Sequence, residues 1–227
     1  MKKLKIKMNF ALIISLTALL ITGCSDKKDV QKSAYNEESN SAAGFVSATN
    51  KGVKQDLIIP ESKLEWTAAK VTGQHNGTVD FIGGNLFIED NKLTGGSFEM
   101  DFNTIKVLDI TDAEMNGKLT GHLKSNDFFS VADFPKGKFV ITSVKEISTD
   151  KYEISGDMTI KNITKKITFP AEIKQDGNKF TAIAEMDIDR TLWDIKYRSG
   201  KFFGDLGDKM INDNFKVKLS LKFNKNS

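Results

Sequence analysis

Beyond about residue 60, the chain alternates apolar and polar residues with a period of two. One run, KFTAIAEMDIDR at 179–190, places five apolar residues on one face: Phe180, Ala182, Ala184, Met186 and Ile188. Alternate side chains of a strand point to opposite faces, so a run of this kind predicts a half-buried strand. Eight such runs occur, at 63–71, 78–88, 96–102, 138–144, 152–160, 166–173, 179–190 and 214–223.

One stretch breaks this alternation. Residues 112–125 place Met115, Leu119 and His122 or Leu123 at helical spacing. A single helix cannot cover eight strands, so the strands must bury their inner faces against one another. Short turn sequences such as QDGNK join the runs, which favours antiparallel neighbours. The pattern therefore predicts an all-β domain, either an eight-stranded antiparallel barrel or a sandwich, with one short helix.

The first 23 residues have the composition of a signal peptide. Four lysines and no acidic residue precede an apolar run of about a dozen residues, too short to span a bilayer. The sequence LITGC at 20–24 is similar to a bacterial lipobox, and this similarity implies that Cys24 is acylated. The alternative is a free thiol that pairs with another chain. We expect a lipid-anchored protein at a membrane of the bacterial envelope, with its domain in the periplasm or outside.

Residues 24–55 are rich in Ser, Asn, Lys and Ala and contain few large apolar residues. This composition predicts a disordered linker after the acylated Cys24, leaving residues 56–227 as one domain. Removal of the leader leaves 29 basic and 30 acidic residues, so the basic character of the whole chain disappears with it. The sequence contains no basic patch of the kind that would indicate a nucleic-acid partner.

Three motifs resemble the YceI-like polyisoprenoid-binding family. They are the His-Leu, Asp-Phe-Phe and Phe-Pro pairings within 122–139, the strand pair GDMTIKNITKKITFP at 156–170, and IDRTLWDI at 188–195. The similarity extends over about residues 57–225. It implies a lipocalin-like barrel whose lumen holds a long isoprenoid chain, such as a quinone tail or a polyprenyl lipid. The chain departs from the family at Met158, which is usually Leu, and at Lys161-Asn162, which is often His-Gly.

The alternating faces provide candidate residues for the lumen. The interior of an eight-stranded barrel is just wide enough to be filled by side chains or to hold one small ligand, so plain core remains the alternative for each candidate. The candidates are Trp66, Phe81, Phe98, Met100, Phe102, Phe139, Ile141, Ile154, Met158, Phe169, Phe180 and Phe215. Small residues predicted to face inward would leave space for a guest: Ala68, Gly83, Gly156, Ala182 and Ala184.

A second set of candidates is expected at one end of the barrel, around the predicted helix. These mouth residues are Leu119, His122, Leu123, Phe128, Phe129, Arg190 and Trp193. The phenylalanines could form an entrance or an ordinary plug, and His122 could be purely structural. Arg190 could contact a polar head group or pair with Asp187 or Asp194.

The sequence contains no pattern that argues for catalysis or for a bound metal or cofactor. Its two histidines, His75 and His122, lack the partners of a zinc site, and no nucleophile or phosphate-loop motif occurs. We therefore expect no enzyme, but an envelope carrier or reservoir for an isoprenoid lipid. The alternative is a filled barrel that acts as a protein-interaction or structural module. The sequence leaves homodimer formation open.

Overall fold

The structure is a computed structural model and describes residues 44–225. The predicted signal peptide, Cys24 and the linker up to residue 43 lie outside the described residues. The strands are β1 Val46–Ser47, β2 Val53–Leu57, β3 Lys63–Lys70, β4 Gly73–Glu89, β5 Lys92–Val107, β6 Lys136–Ser148, β7 Lys151–Ile160, β8 Ile163–Asp176, β9 Lys179–Asp189 and β10 Ile211–Lys225. One α-helix, α1 at Ala113–Lys124, and 3₁₀ turns at Ile59–Glu61, Arg190–Trp193 and Gly207–Lys209 complete the described elements.

The strands form one closed antiparallel sheet. Its order is β6-β5-β4, then β3 and β2, then β10-β9-β8-β7, and pairing of β7 with β6 closes the ring. Strands β3 and β2 share one position between β4 and β10, because the turn at Ile59–Glu61 divides them. The barrel thus has eight strand positions, and the predicted fold class is confirmed. All eight alternating runs correspond to strands β3 to β10.

The predicted helix at 112–125 corresponds closely to α1. Its N-terminus is capped by Asp112, whose carboxylate accepts a hydrogen bond of 2.8 Å from the backbone N–H of Met115. Its apolar residues Leu119 and Leu123 pack against the core, whereas Met115 is exposed. The helix therefore covers one part of the barrel and leaves the rest of the lumen to the strands.

The linker was predicted to extend to residue 55, and its described part differs from this prediction. Residues 46–47 pair with β6 as β1, and the N–H groups of Ala48 and Thr49 donate to Thr142 O and Thr94 O at 2.8 and 2.9 Å. These bonds place the segment between β5 and β6 where those two strands do not pair. Backbone pairing does not require apolar side chains, which explains why composition alone indicated a linker. The barrel domain therefore begins before residue 56.

The two glycines that were predicted to leave space in the lumen, Gly83 and Gly156, do not do so. A β-bulge between Phe81 and Gly83 shifts the alternation of β4, so that Gly83 lies opposite Glu99 on the outer face. Gly156 does face the lumen, but a Cβ placed on it would lie 2.3 Å from Cζ of Phe139. The ring of Phe139 therefore occupies the space that Gly156 leaves. Side-chain size in sequence does not reveal which ring from a neighbouring strand fills such a gap.

The barrel wall is irregular at the end where β9 ends and β10 begins, which we call the mouth end. Pairing of β5 with β6 covers only 97–101 against 136–140, and pairing of β8 with β9 covers only 171–176 against 179–184. Toward the mouth end, α1 packs against β5, and the turn at Arg190–Trp193 contacts β8. Non-strand segments therefore complete the wall here.

Candidate functional site: two apolar cavities in the barrel lumen

The larger of two cavities within the lumen lies at the mouth end and has a volume of about 110 Å³. Its wall is almost entirely apolar. We call it the mouth cavity. It is lined by Leu64, Trp66, Ala68, Val79, Met100, Phe102, Ile105, Leu123, Phe128, Phe129, Ile160, Ile188, Arg190, Ile211, Asn212, Phe215 and Val217. Strands, α1, the segment after it and the start of β10 all contribute to this wall.

A smaller cavity of about 50 Å³ lies further along the lumen, and we call it the distal cavity. Its lining has no polar surface. It is lined by Leu86, Phe98, Phe139, Ile141, Ile154, Phe169, Ala171, Ile173, Ala182, Ala184, Leu219 and Leu221. The rings of Phe139 and Phe169 lie 5.5 Å apart and occupy much of this part of the barrel.

Two methionines lie between the levels of the two cavities. On β9, Met186 lies between Ile188 of the mouth cavity and Ala184 of the distal cavity. On β7, Met158 lies between Ile160 and Ile154 in the same way. Both methionines are partly buried and pack against the core. Methionine is unbranched and adapts easily to irregular gaps, so this level, which we call the neck, can adjust more readily than a level of branched side chains.

Arg190 is buried at the mouth cavity, with 4% of its surface exposed. Its Nε, Nη1 and Nη2 groups donate to the carbonyl oxygens of Asn212, Ile195 and Ile211 at 3.1, 2.8 and 3.0 Å. Its Nη2 also lies 3.5 Å from the Asp213 carboxylate. Burial lowers the pKa of Arg190, while the charges of Asp213 and Asp189 oppose that shift. The guanidinium therefore ties the segment 190–210 to β10 and contributes little polar surface to the cavity.

His122, in the last turn of α1, contacts residues on both sides of the mouth end. Its Nε2 lies 2.9 Å from the Asp127 carboxylate, and its ring makes edge contacts with Phe128 and Tyr197 at centroid distances of 4.9 and 4.7 Å. Phe128 lines the mouth cavity, whereas Tyr197 belongs to the loop after the Arg190–Trp193 turn. His122 thus connects the helix to that loop.

The match to a protein family agrees with this architecture. The family described as the YceI-like domain matches residues 55–223. This chain belongs to the YceI-like domain family. The resemblance drawn from the three motifs is thereby confirmed.

Curated relatives of this YceI-like chain are about one third identical to it over the stretches that align. A UPF0312 protein of Shewanella denitrificans is 33% identical over 136 residues, which cover 60% of this chain and 65% of that protein. The protein YceI of Escherichia coli O157:H7 is 30% identical over 102 residues, covering 45% of this chain and 50% of that protein. The matches span less than two thirds of the length of these relatives.

Solved structures share the YceI-like fold. BcnA of Burkholderia cenocepacia superposes with a TM-score of 0.60 at 18% identity, covering 73% of this chain and 98% of that chain. A polyisoprenoid binding domain from Saccharophagus degradans superposes with a TM-score of 0.58 at 10% identity, covering 78% and 100%. The matched barrel makes up nearly all of each of those two solved chains.

Most of the predicted lumen residues line one of the two cavities of the YceI-like barrel. Trp66, Met100, Phe102 and Phe215 line the mouth cavity, and the distal cavity takes Phe98, Phe139, Ile141, Ile154 and Phe169. Phe81 and Phe180 are buried core residues that line neither cavity, and Met158 lies at the neck.

The predicted mouth residues divide into two groups. Leu123, Phe128, Phe129 and Arg190 line the mouth cavity, whereas Leu119, His122 and Trp193 do not. Trp193 is fully buried, and its indole N–H donates to Met158 O at 3.1 Å. It is therefore a wall residue, not an exposed contact. Arg190 pairs with Asp213 and with neither Asp187 nor Asp194, because the chain folds back after the turn and brings the start of β10 beside it.

Sequence reasoning missed several lining residues. Val79, Ile160, Ile188 and Val217 continue the apolar faces already recognised, so alternation alone could have identified them. Ile211 and Asn212 lie where the pairing of β10 with β3 is irregular, and no periodic pattern marks them.

The departure from the family at Lys161-Asn162 has a structural counterpart. Both residues have positive φ values, 50° and 57°, and form the two-residue turn between β7 and β8. Two consecutive left-handed residues fit a hairpin turn, and asparagine tolerates this conformation well. The Lys161 ammonium donates to Asp194 O at 3.3 Å, so it connects the hairpin turn to the residue that follows the Arg190–Trp193 turn.

Trp66 is the polar-tipped ring in the mouth cavity wall. Its indole N–H is buried and has no hydrogen-bond partner among residues 44–225. The ring lies against Gly77, where an added Cβ would come within 2.5 Å of Cζ2 of the indole.

Among residues 44–225, no group of three or more His, Cys, Asp or Glu side chains is arranged to hold a metal ion. No described helix is both long and apolar enough to cross a bilayer.

Proposed function

We propose that this protein binds the hydrocarbon chain of an isoprenoid lipid, of the quinone or polyprenyl type, inside the barrel lumen. The observation that carries the proposal is the almost entirely apolar wall of the mouth cavity inside a closed barrel. Apart from the Trp66 indole N–H and the edge of Arg190, this wall offers no partner to a charged or strongly polar ligand, and buried polar groups need partners. The hydrocarbon part of the ligand therefore lies inside, and any polar head stays at or beyond the mouth.

The identity of the ligand class draws support from a structural neighbour. The domain from Saccharophagus degradans that shares this fold is described as polyisoprenoid binding. Isoprenoid chains are branched at regular intervals and fill irregular apolar space well. A lumen lined by phenylalanine, isoleucine and methionine is a suitable environment for them.

The cavity volumes constrain how such a chain binds. An apolar cavity of about 150 Å³ accepts benzene, so the mouth cavity of about 110 Å³ holds only a few carbon atoms without rearrangement. A longer chain reaches the distal cavity by displacing Met158 and Met186 at the neck. Transfer from a bilayer to the lumen exchanges one apolar environment for another. The affinity therefore depends on fit, which favours a reversible carrier or reservoir.

We further propose that the protein acts at a membrane of the bacterial envelope, anchored through acylated Cys24. This part rests on the signal-peptide pattern and on LITGC at 20–24. A protein carrying at least two acyl chains would remain at the membrane surface, where its ligand resides.

A second candidate function has an observation in its favour. Both cavities are small, and two phenylalanines, Phe202 and Phe203, are about half exposed near the mouth. A filled barrel with an exposed apolar patch would fit a protein-interaction or structural module of the envelope.

The deciding experiment is organic extraction and mass spectrometry of residues 44–227 purified from bacterial cells. We expect an isoprenoid or quinone in stoichiometric amount. Binding of added geraniol and solanesol would then be measured in detergent for the wild type and for Ala68→Leu, which adds bulk to the mouth cavity. The control Thr67→Leu changes the adjacent residue on the outer face of β3. Protein that carries no lipid and binds neither alcohol would support the filled barrel instead.

A further inference from the structure

We propose that the loop Lys196–Phe203, here called the basic-aromatic loop, docks the mouth of the barrel onto a lipid bilayer that contains anionic head groups. This surface is separate from the cavities, and the inference goes beyond the proposed ligand. It would hold for any ligand that reaches the mouth from a membrane.

The first observation is the exposure of large apolar side chains on this loop. Phe202 and Phe203 are 49% and 51% exposed, and Leu192 on the preceding turn is 44% exposed. Purely apolar rings gain nothing from contact with water, so a consecutive pair at the tip of a loop indicates a partner. A bilayer interface can accept such rings at no cost in unpaired polar groups.

The exposure is built into the backbone of the loop. The N–H groups of Phe202 and Phe203 both donate to Ser199 O, at 3.1 and 3.0 Å, and Ser199 itself is fully buried. Ile211 N donates to Arg198 O at 3.0 Å, and the Arg190 guanidinium holds Ile195 O. These bonds fix the backbone of the loop on both sides, so the Cα atoms of the two phenylalanines are held at the surface.

The charge of the loop identifies the class of surface. The sequence KYRSGKFF at 196–203 contains three basic and three aromatic residues and no acidic residue. The Lys196 ammonium lies 5.0 Å from the centre of the Phe202 ring, and the Arg198 guanidinium lies 5.1 Å from the Tyr197 ring. Lys196 pairs with Asp194, and Lys201 lies 2.6 Å from Asp189 and 3.7 Å from Asp213, so both lysines would reach an anionic head group in competition with these carboxylates. Basic side chains beside apolar rings complement an anionic lipid surface, where the rings insert and the cations meet head groups.

The basic-aromatic loop is continuous with the mouth cavity. The Tyr197 ring contacts Phe128, a cavity residue, at a centroid distance of 5.5 Å. Arg190 lines the same cavity and ties the loop to β10. A bilayer that receives Phe202 and Phe203 would therefore lie against the mouth, and an apolar chain could enter with little exposure to water.

The length of the N-terminal chain permits this orientation. The described chain begins at Gly44, and β1 pairs with Val144 near the end of β6 that is remote from the mouth. Nineteen residues separate Cys24 from Gly44, and a chain of that length spans at most about 70 Å. Strand β5, with 16 residues, is only about 55 Å long. A lipid on Cys24 and the mouth can therefore face the same membrane.

The test uses residues 44–227, which lack the predicted anchor and form a barrel like those of the solved relatives. Co-sedimentation would be measured with phosphatidylcholine vesicles with and without phosphatidylglycerol. We expect binding to the anionic vesicles, and a loss of roughly tenfold or more for Phe202→Ser/Phe203→Ser, since two rings no longer leave water. The control is Ile147→Ser/Ile183→Ser, which removes two apolar side chains that are 57% and 54% exposed outside the loop.

A second measurement locates the contact. Phe203→Trp places an exposed indole on the loop, whereas Trp66 and Trp193 are buried. Quenching of the new fluorescence by brominated lipid is expected on vesicle binding. The inference would be overturned if the wild-type protein does not bind anionic vesicles, or if both double variants lose the same amount of vesicle binding. Sedimentation that shows a dimer dissociated by Phe202→Ser/Phe203→Ser would also overturn it. Binding of geraniol in detergent distinguishes the two proposals, because the loop variant should retain it whether or not vesicles bind.

Discussion

The two cavities differ in how their walls are built. The distal cavity lies where every wall strand pairs with its neighbours, with one bulge in β6 after Ile141, and aromatic rings such as Phe139 fill the spaces left by glycines such as Gly156. The mouth cavity lies where β5 and β6, and also β8 and β9, stop pairing. There α1, the Arg190–Trp193 turn and the start of β10 complete the wall.

This difference indicates where the barrel can accept a guest. Regular strands bring side chains together at fixed spacing, so they fill the lumen efficiently. Segments outside the ladder are held by a few side-chain bonds, and they leave more space between them. The larger cavity is therefore found at the end that depends on Arg190, Trp193 and His122 for its shape. Mutations that act on one end and not on the other can test this view.

The largest effect is expected from Arg190→Met. The substitution removes three hydrogen bonds to carbonyl groups and leaves Asp213, whose side chain is 16% exposed, with Lys201 at 3.7 Å as its remaining cation. Loss of one partner from a buried pair costs about 3–5 kcal/mol, and we expect a decrease of that order in the free energy of unfolding. Urea denaturation would measure it. The control Lys106→Met removes an exposed ion pair with Asp80 and should leave the midpoint nearly unchanged. Equal midpoints for both variants would contradict the proposed role of Arg190 at the mouth end.

Gly156→Ala tests the packing near the distal cavity. Its new Cβ would lie 2.3 Å from Phe139 Cζ and 2.5 Å from Val140 O, so the ring and the neighbouring strand must move. Overpacking of this kind costs about 1–3 kcal/mol. Thermal and urea unfolding would measure the loss. Gly83→Ala is the matched control, because no atom lies within 4 Å of its added Cβ. A larger loss for Gly83→Ala would contradict the inward facing of Gly156 and the outward facing of Gly83.

The eight strands and α1 were predictable because their signals are local. Alternation over seven or more residues, as in β9 and β10, reports which face is buried wherever the strand is regular. The family motifs add the closure of the sheet into a barrel, which alternation alone leaves open between barrel and sandwich. The apolar character of the lumen follows from the same faces.

The features missed by sequence reasoning depend on partners that are distant in the chain. The bulge at Phe81–Gly83 reverses the facing of Gly83, and pairing of β1 with β6 places residues 46–47 in the wall. Arg190 pairs with Asp213 because the segment 190–210 folds back and places the start of β10 beside the end of β9. Exposure of Phe202 and Phe203 was not predicted either, since an aromatic pair reads as core until the loop that carries it is placed.

A smaller effect concerns acid stability at the mouth end. Burial opposes ionisation of Asp189, but hydrogen bonds from Lys201 and Thr191 outweigh it and lower its pKa below the ordinary value. A carboxylate with a lowered pKa in the folded state stabilises the fold above its unfolded pKa, and this contribution is lost as the pH falls through the folded pKa. We expect stability to decrease as the pH falls below about 4, and less steeply in Asp189→Asn. Unfolding midpoints measured down the acid range would show this. Parallel acid curves for both proteins would exclude a contribution from Asp189.

The smallest effect on stability, and a selective one on binding, is expected at the neck between the cavities. Met158→Ile combined with Met186→Ile keeps the side-chain volume but makes χ1 stiff, so the neck opens less easily. Volume-conserving swaps of this kind cost less than about 1.5 kcal/mol in stability. Binding of solanesol, whose chain must pass the neck, should weaken about fivefold, equivalent to roughly 1 kcal/mol, while binding of prenol, a single isoprene unit that can stay in the mouth cavity, remains unchanged. Exposed Met115→Ile serves as the control. Equal losses of affinity for both alcohols in the double variant would contradict this prediction, because a ligand confined to the mouth cavity should not depend on the neck.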